Sequence, residues 1–173
     1  MNRTDYPTLE TERLSLNQLS QADWSNISYL RSDPVVNTYV KRPPAKSKKE
    51  AVAFINKINK GINESKWYYW AIRYKGQQEL IGTICLWNFS DNKNTAEVGY
   101  DLTPDNQGKG VMNEALSRVI EFGIKDLDLH AIEAFTHHLN TASIRLLEKN
   151  EFIHIVDRID DDNEDNMVYV LST

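Results

Sequence analysis

From Thr95 to Leu102 polar and apolar residues alternate without a break. Ala96, Val98, Tyr100 and Leu102 fall on one face, and Glu97, Gly99 and Asp101 on the other. A period of two predicts a half-buried strand. After a short loop the period changes: Val111, Met112, Ala115, Leu116, Val119 and Ile120 make one helical stripe. Ala51, Phe54, Ile55, Ile58 and Ile62 make another, started by Ser47 with Glu50 as a capping box. Ser20 with Asp23 starts a helix reaching Arg31, and Asn140 to Asn150 is a fourth. ERLSLNQL reads as a first strand, and KWYYWAIRY with ELIGTICLWNF as a hairpin about KGQQ. AIEAFTH, FIHIVDRI and NMVYVL complete the set. The order is strand, two helices, three strands, helix, strand, helix, two strands. It predicts one α+β domain over residues 1–173, a mixed sheet of about seven strands flanked by four helices.

With 173 residues, 40% of them apolar and 26% charged, the chain suits a single soluble core. A net charge of −5 argues against nucleic-acid binding by bulk charge and is compatible with a cationic substrate. No run is long and apolar enough for a membrane span, and MNRTDYPTLETERL has no leader core, so a cytoplasmic protein is expected. The single cysteine, Cys85, sits in an apolar strand and reads as a core thiol. No metal is expected. His137 and His138 are adjacent, so their side chains should diverge, and DRIDDDNEDN lacks the Gly and final Glu of a calcium loop. That acidic stretch reads as a solvated hairpin turn, and VKRPPAK as a loop. Half of the Trp67–Trp70 aromatic cluster should be core, leaving the other half free to line a cleft.

The chain has only seven glycines, and two stand in DNQGKGVMNEAL, between the alternating strand and the helix. Strand, loop, Gly-x-Gly, helix is the geometry of an anion site. The first helical amides have no internal partner, the helix dipole adds positive potential, and glycine lets the backbone approach an oxyanion. Gln107, Gly108, Lys109, Gly110, Val111 and Met112 could offer several N–H groups to a pyrophosphate, with the Lys109 cation nearby. A glycine-assisted turn fits the same spacing. The nucleotide P-loop is absent, and the dinucleotide fingerprint fails because position 113 is Asn.

QGKGVM resembles the coenzyme A loop of the GNAT N-acetyltransferases, Arg/Gln-x-x-Gly-x-Gly/Ala. Gln107 and Gly110 match, and Met112 departs from the last small position. TERLSLNQL, AEVGYDLTPDNQGKG and HLNTASIRLLEKNEF resemble one branch, the ribosomal-protein N-terminal acetyltransferases of the Rim type, in the right order over residues 8–170. Glu151 stands where that branch usually has Gly, and Asn150 is expected to supply the left-handed cap.

The resemblance implies a GNAT fold with a mostly antiparallel sheet. It also implies transfer of acetyl from acetyl-CoA to a primary amine by direct attack, with no metal and no acetyl-enzyme. The expected acceptor is a protein N-terminus, such as that of a ribosomal protein. A polyamine or aminoglycoside acetyltransferase and a non-catalytic CoA sensor are the rivals, and homodimerisation is a family habit. Glu97 is implied as general base through water. Gly99 suggests a bulge where the sheet splays, with Val98, Gly99 and Tyr100 offering amides to the thioester carbonyl. Asn140 is implied to face the cofactor and Ser143 the sulfur. As residues they also read as an N-cap and a first-turn hydroxyl. Many GNAT enzymes use a Tyr in this helix as the acid. None lies between Asn140 and Asn150, so Ser143 takes that place.

Overall fold

The structure, a computed structural model, describes residues 6–173. Residues 1–5, part of the stretch read above as lacking a leader core, lie outside the described residues. In chain order the elements are β1 (Leu9–Glu10), β2 (Leu14–Asn17), α1 (Trp24–Ser32), α2 (Lys48–Asn63), β3 (Tyr68–Tyr74), β4 (Gly82–Trp87), β5 (Thr95–Leu102), α3 (Val111–Lys125), β6 (Ala131–His137), α4 (Thr141–Lys149), β7 (Ile153–His154) and β8 (Asn166–Ser172). One sheet runs β1-β2-β3-β4-β5-β6-β8-β7. Every neighbouring pair is antiparallel except β5 and β6.

The period-two strands sort two hydrophobic clusters to the two faces. Leu14, Leu16, Trp70, Ile72, Ile84, Leu86, Ala96 and Val98 meet the apolar stripes of α3 and α4 through Leu116, Val119, Phe122 and Leu147. The opposite face carries Ala71 and Leu80 against α1 and α2 through Ile27, Leu30, Ile55 and Ile58. The Ser47–Glu50 capping box starts α2 as expected. Ser20 with Asp23 starts a single 3-10 turn (Gln21–Asp23) that runs into α1. Asp23 also accepts from the Arg73 guanidinium at 2.5 Å, a buried pair that ties this turn to β3.

Three local expectations change. Two residues before the first strand fold back as β1, so the sheet has eight strands. FIHIVDRI pairs with β8 at Ile153 and His154, and the Ile155 amide adds one last bond to the Val168 carbonyl. Beyond them Arg158 N–H turns back to the Ile155 carbonyl, and Val156 and Ile159 stand exposed. Residue 151 itself takes the left-handed conformation, at φ 67°, although it is Glu. Asn150 stays at φ −96° and instead uses its side-chain amide, donating to Asn113 Oδ1 and to the Leu146 carbonyl.

A left-handed L-residue costs about 1–2 kcal/mol, and the entropy of glycine returns roughly half of that. Glu151→Gly is therefore expected to raise the melting temperature by roughly 1–4 °C in a thermal melt. An unchanged or lower value would contradict the strain assigned to this position.

Candidate active site

β5 keeps its register with β4 along its length, from Trp87↔Glu97 to Gly82↔Leu102. With β6 it pairs at only three positions, Thr95↔Ala131, Ala96↔Ile132 and Glu97↔Glu133. β6 nevertheless continues against β8 to His137. The two parallel strands therefore part after Glu97 and Glu133, opening a wedge in mid-sheet. The backbone groups of Val98 to Asp101 that point toward β6 have no ladder there. The Gly99 bulge is not found, because Cys85↔Gly99 is an ordinary register pair. A Cβ at 99 would meet Cys85 Sγ at 3.4 Å, an ordinary contact, so nothing local explains the glycine.

The glycine loop closes one end of the wedge. After the turn at Pro104–Asn106, Gln107 is extended and its side-chain amide donates to the Leu102 carbonyl. Gly108 and Gly110 both have positive φ, 71° and 75°, and Gly110 is the N-cap of α3. Val111 and Met112 are buried and open the apolar stripe of α3. Arg13, in the β1–β2 turn, clamps this loop. Its Nη1 donates to the Lys109 carbonyl at 3.1 Å and its Nε to Glu114 Oε2 at 2.7 Å. Thr11 and the Arg13 amide bind the other Glu114 oxygen. An open depression of about 520 Å³, lined by Arg13, Gly110, Asn113 and Arg118, adjoins the loop.

Across the wedge, α4 begins at Asn140, whose Oδ1 accepts from the Ser143 amide at 3.2 Å. The cap reading of Asn140 is thus realised. Ser143 is 8% exposed, and its Oγ lies 2.8 Å from the Tyr100 hydroxyl.

The opposite face of the wedge holds Glu97. Desolvation pushes its carboxyl from 4.5 to about 7, with Asp160 and Glu133 reinforcing the rise and a 3.4 Å bond from Asn88 opposing it. Arg158 forks onto Glu133 at 2.5 and 2.7 Å. DRIDDDNEDN is thus more than a solvated turn: it returns Arg158 and Asp160 to the site. The loop between α1 and α2 arches over this face. Its Arg42 pairs with Asp101 at 2.9 Å and also holds Asn37 and the Leu30 carbonyl. Tyr39 packs on His137 at 5.2 Å between ring centroids. Thr83 Oγ1 donates to Asp101 at 2.6 Å and accepts from the Tyr69 hydroxyl at 3.0 Å. Of the aromatic cluster, Tyr68 and Trp70 are core, and Tyr69 faces the loop side. Trp87, exposed beside Glu97, adds an apolar wall.

Cys85 is only partly buried and belongs to neither hydrophobic cluster, so it is not the core thiol expected. Burial pushes it up to about 12, and Sγ donates to the Gly99 carbonyl. His137 and His138 do not diverge as expected. Their rings stack at 4.6 Å, and with Asp165 they offer ligand atoms within 4.8 Å of one another. His137 Nδ1 accepts the Leu139 amide, which in the neutral ring leaves the proton on Nε2, the atom facing Asp165 at 3.9 Å. That bond opposes ligation through Nε2.

Sequence reading missed Arg13, Arg42, Tyr39, Trp87 and Arg158. Each acts through a contact more than ten positions away in the chain or packs across strands, which no local spacing records.

The site is a parallel pair that splits at Glu97 and Glu133, with a glycine-capped helix start beside it. The chain belongs to the GNAT acetyltransferases: residues 13–153 match the family's acetyltransferase (GNAT) domain. It is 37% identical over 146 residues to the uncharacterised N-acetyltransferase p20 of Bacillus licheniformis, covering 84% of this chain and 82% of that one. A GNAT-family acetyltransferase structure from Bacillus anthracis superposes with a TM-score of 0.79 at 25% identity, over 96% of this chain and 98% of the other. RimL, the ribosomal L7/L12 α-N-protein acetyltransferase, solved with coenzyme A, superposes at 0.83 with 16% identity over 96% and 98%, a likeness of fold. The protein is therefore an acetyltransferase whose family takes acetyl from acetyl-CoA. The left-handed glycines, the free amides opening α3 and the unladdered edge of β5 fit that donor. No helix among the described residues is long and apolar enough to cross a membrane.

Arg13→Ala removes the bond that fixes the Lys109 carbonyl. It is expected to raise KM for acetyl-CoA roughly tenfold while leaving kcat within about a factor of two in steady-state assays. An unchanged KM would show that the loop holds its shape without the clamp.

Proposed function

We propose that this protein acetylates the α-amino group of a protein N-terminus, in the manner of the ribosomal-protein acetyltransferases, by direct attack in a ternary complex. The observation that carries the reading is Glu97. Its carboxylate stands where β5 and β6 part and is shifted to about 7. An α-amino group has a pKa near 8, so proton transfer to such a base is uphill by about 1 kcal/mol. From an alkyl amine near 10.4 it is uphill by roughly 4–5 kcal/mol. The acidic face points the same way. Of the carboxylates near the fork, Asp101 and Glu133 are tied to Arg42 and Arg158, which leaves only Glu97 and Asp160 without a cation partner to attract a polyamine. The RimL likeness in fold is consistent with this reading.

The amides of Gly108 to Met112 would hold the pyrophosphate, with Lys109 beside them. Asn140 would fix the start of α4 against the cofactor. Acetyl-CoA, when bound, supplies the acetyl thioester. Glu97 takes the amine proton through water, the backbone N–H groups of Val98 and Tyr100 polarise the thioester carbonyl (that of Gly99 is turned toward β4), and Ser143 hydrogen-bonds the sulfur. The neutral Cys85 supports direct attack over an acetyl-enzyme. No step calls on a metal. The single sheet with cores on both faces supports the described residues, 6–173, acting as one domain, and a cytoplasmic setting suits these acceptors.

Thiol release from acetyl-CoA is expected with N-terminal peptides and not with spermidine; the reverse would make this a small-amine enzyme. kcat/KM should rise with pH through an inflection near 7 as Glu97 loses its proton. Glu97→Gln should lose that inflection and roughly 10²–10⁴ in kcat. Full activity of the variant would remove the base assignment. Stability carries the same signature. The folded carboxyl holds its proton between 4.5 and about 7 while the unfolded one does not. Folding stability should therefore fall as pH rises through that window, and Glu97→Gln should flatten the slope.

A further inference from the structure

Tyr100 leaves β5 beyond the point where β6 has separated, and its hydroxyl reaches Ser143 Oγ at the first turn of α4, 2.8 Å away. It is a side-chain bond between the two elements that flank the wedge. The ring packs against the α3–α4 core, and Ser143 is nearly buried, so the contact is not a chance surface pairing. The Asn140 cap on the Ser143 amide fixes the helix start from which Oγ projects.

A pair of hydroxyls can bond in either sense. Burial pushes the Tyr100 phenol up to about 12, so it keeps its proton throughout the working range and is available as a donor. If it donates to Ser143 Oγ, the serine proton is directed away from the phenol. An oxygen that accepts one bond also becomes a stronger donor in the next. No tyrosine lies inside α4 itself, and the fold brings one to that helix from β5.

We propose that Tyr100 is a positioning residue for the leaving group: it orients and polarises Ser143 so that the serine O–H meets the thioester sulfur. This rests on the acetyl-transfer reading above. In the step it serves, the amine nitrogen bonds the acetyl carbon and the carbon–sulfur bond breaks. Its electron pair goes to sulfur, held by the Ser143 hydrogen bond until solvent protonates it. The amine proton leaves through Glu97, and Tyr100 keeps its own.

The test is a double-mutant cycle with acetyl-CoA and an N-terminal peptide. Tyr100→Phe keeps the ring and should lower kcat roughly tenfold with KM for acetyl-CoA little changed. In a Ser143→Ala background the same change should cost nothing further, because the two hydroxyls act as one unit. Losses that multiply, or a Tyr100→Phe enzyme at wild-type kcat, would overturn the proposal. A second measurement does not need turnover: dissociation constants for CoA and for desulfo-CoA by calorimetry. The preference for CoA should shrink equally in Tyr100→Phe and Ser143→Ala. An unaltered preference in Tyr100→Phe overturns the proposal. Absence of thiol release with any amine, while CoA binding retains this pattern, would instead sink the acetyl-transfer reading alone.

Discussion

The site depends on one break in an otherwise continuous sheet. β5 is held by β4 to Leu102 and β6 by β8 to His137, yet the two hold each other only through Glu97 and Glu133. A parallel pair that stops early leaves two strand edges facing each other in the middle of a sheet. Exposed edges are normally a liability. Here they form a slot with amide donors on its wall, flanked by the start of α4. Both strands are anchored on their far sides, so their parting is set by the fold, and the Tyr100–Ser143 bond spans it.

Three arginine–carboxylate pairs arrange the surroundings. Arg13 with Glu114 fastens the glycine loop, Arg42 with Asp101 fastens the arching loop, and Arg158 with Glu133 fastens the β7–β8 connection. Partly exposed pairs of this kind add little to stability. Their worth lies in geometry, because a guanidinium can hold a carboxylate and a backbone carbonyl at once, as Arg13 and Arg42 both do. Pairing also offsets the charges of Asp101 and Glu133, while Glu97 sits in a desolvated place beside Asn88 and Trp87.

Much of this was legible in the chain. The alternation at 95–102, the stripes of α2 and α3 and the capping box at Ser47 are local patterns, and each became the element expected. The glycine loop was legible because left-handed backbone selects glycine, at 108 and 110 alike. What escaped was non-local. No spacing shows that β5 and β6 part without a bulge, or that Arg42 finds Asp101. Nor does any reveal that Tyr100 crosses the slot to Ser143. At 151 a sequence rule misled: cap preference named Asn150, but the tertiary bonds of its side chain held it in place and left Glu151 to adopt the left-handed turn.

The central claim is that the gap between β5 and β6 receives the thioester arm of the donor. A crystal structure with coenzyme A bound tests it most directly. The account predicts pyrophosphate oxygens within hydrogen-bond distance of the amides of residues 108–112, and the sulfur beside Ser143 between β5 and α4. A cofactor bound elsewhere, with β5 and β6 joined by a continued ladder beyond Glu97, would contradict it.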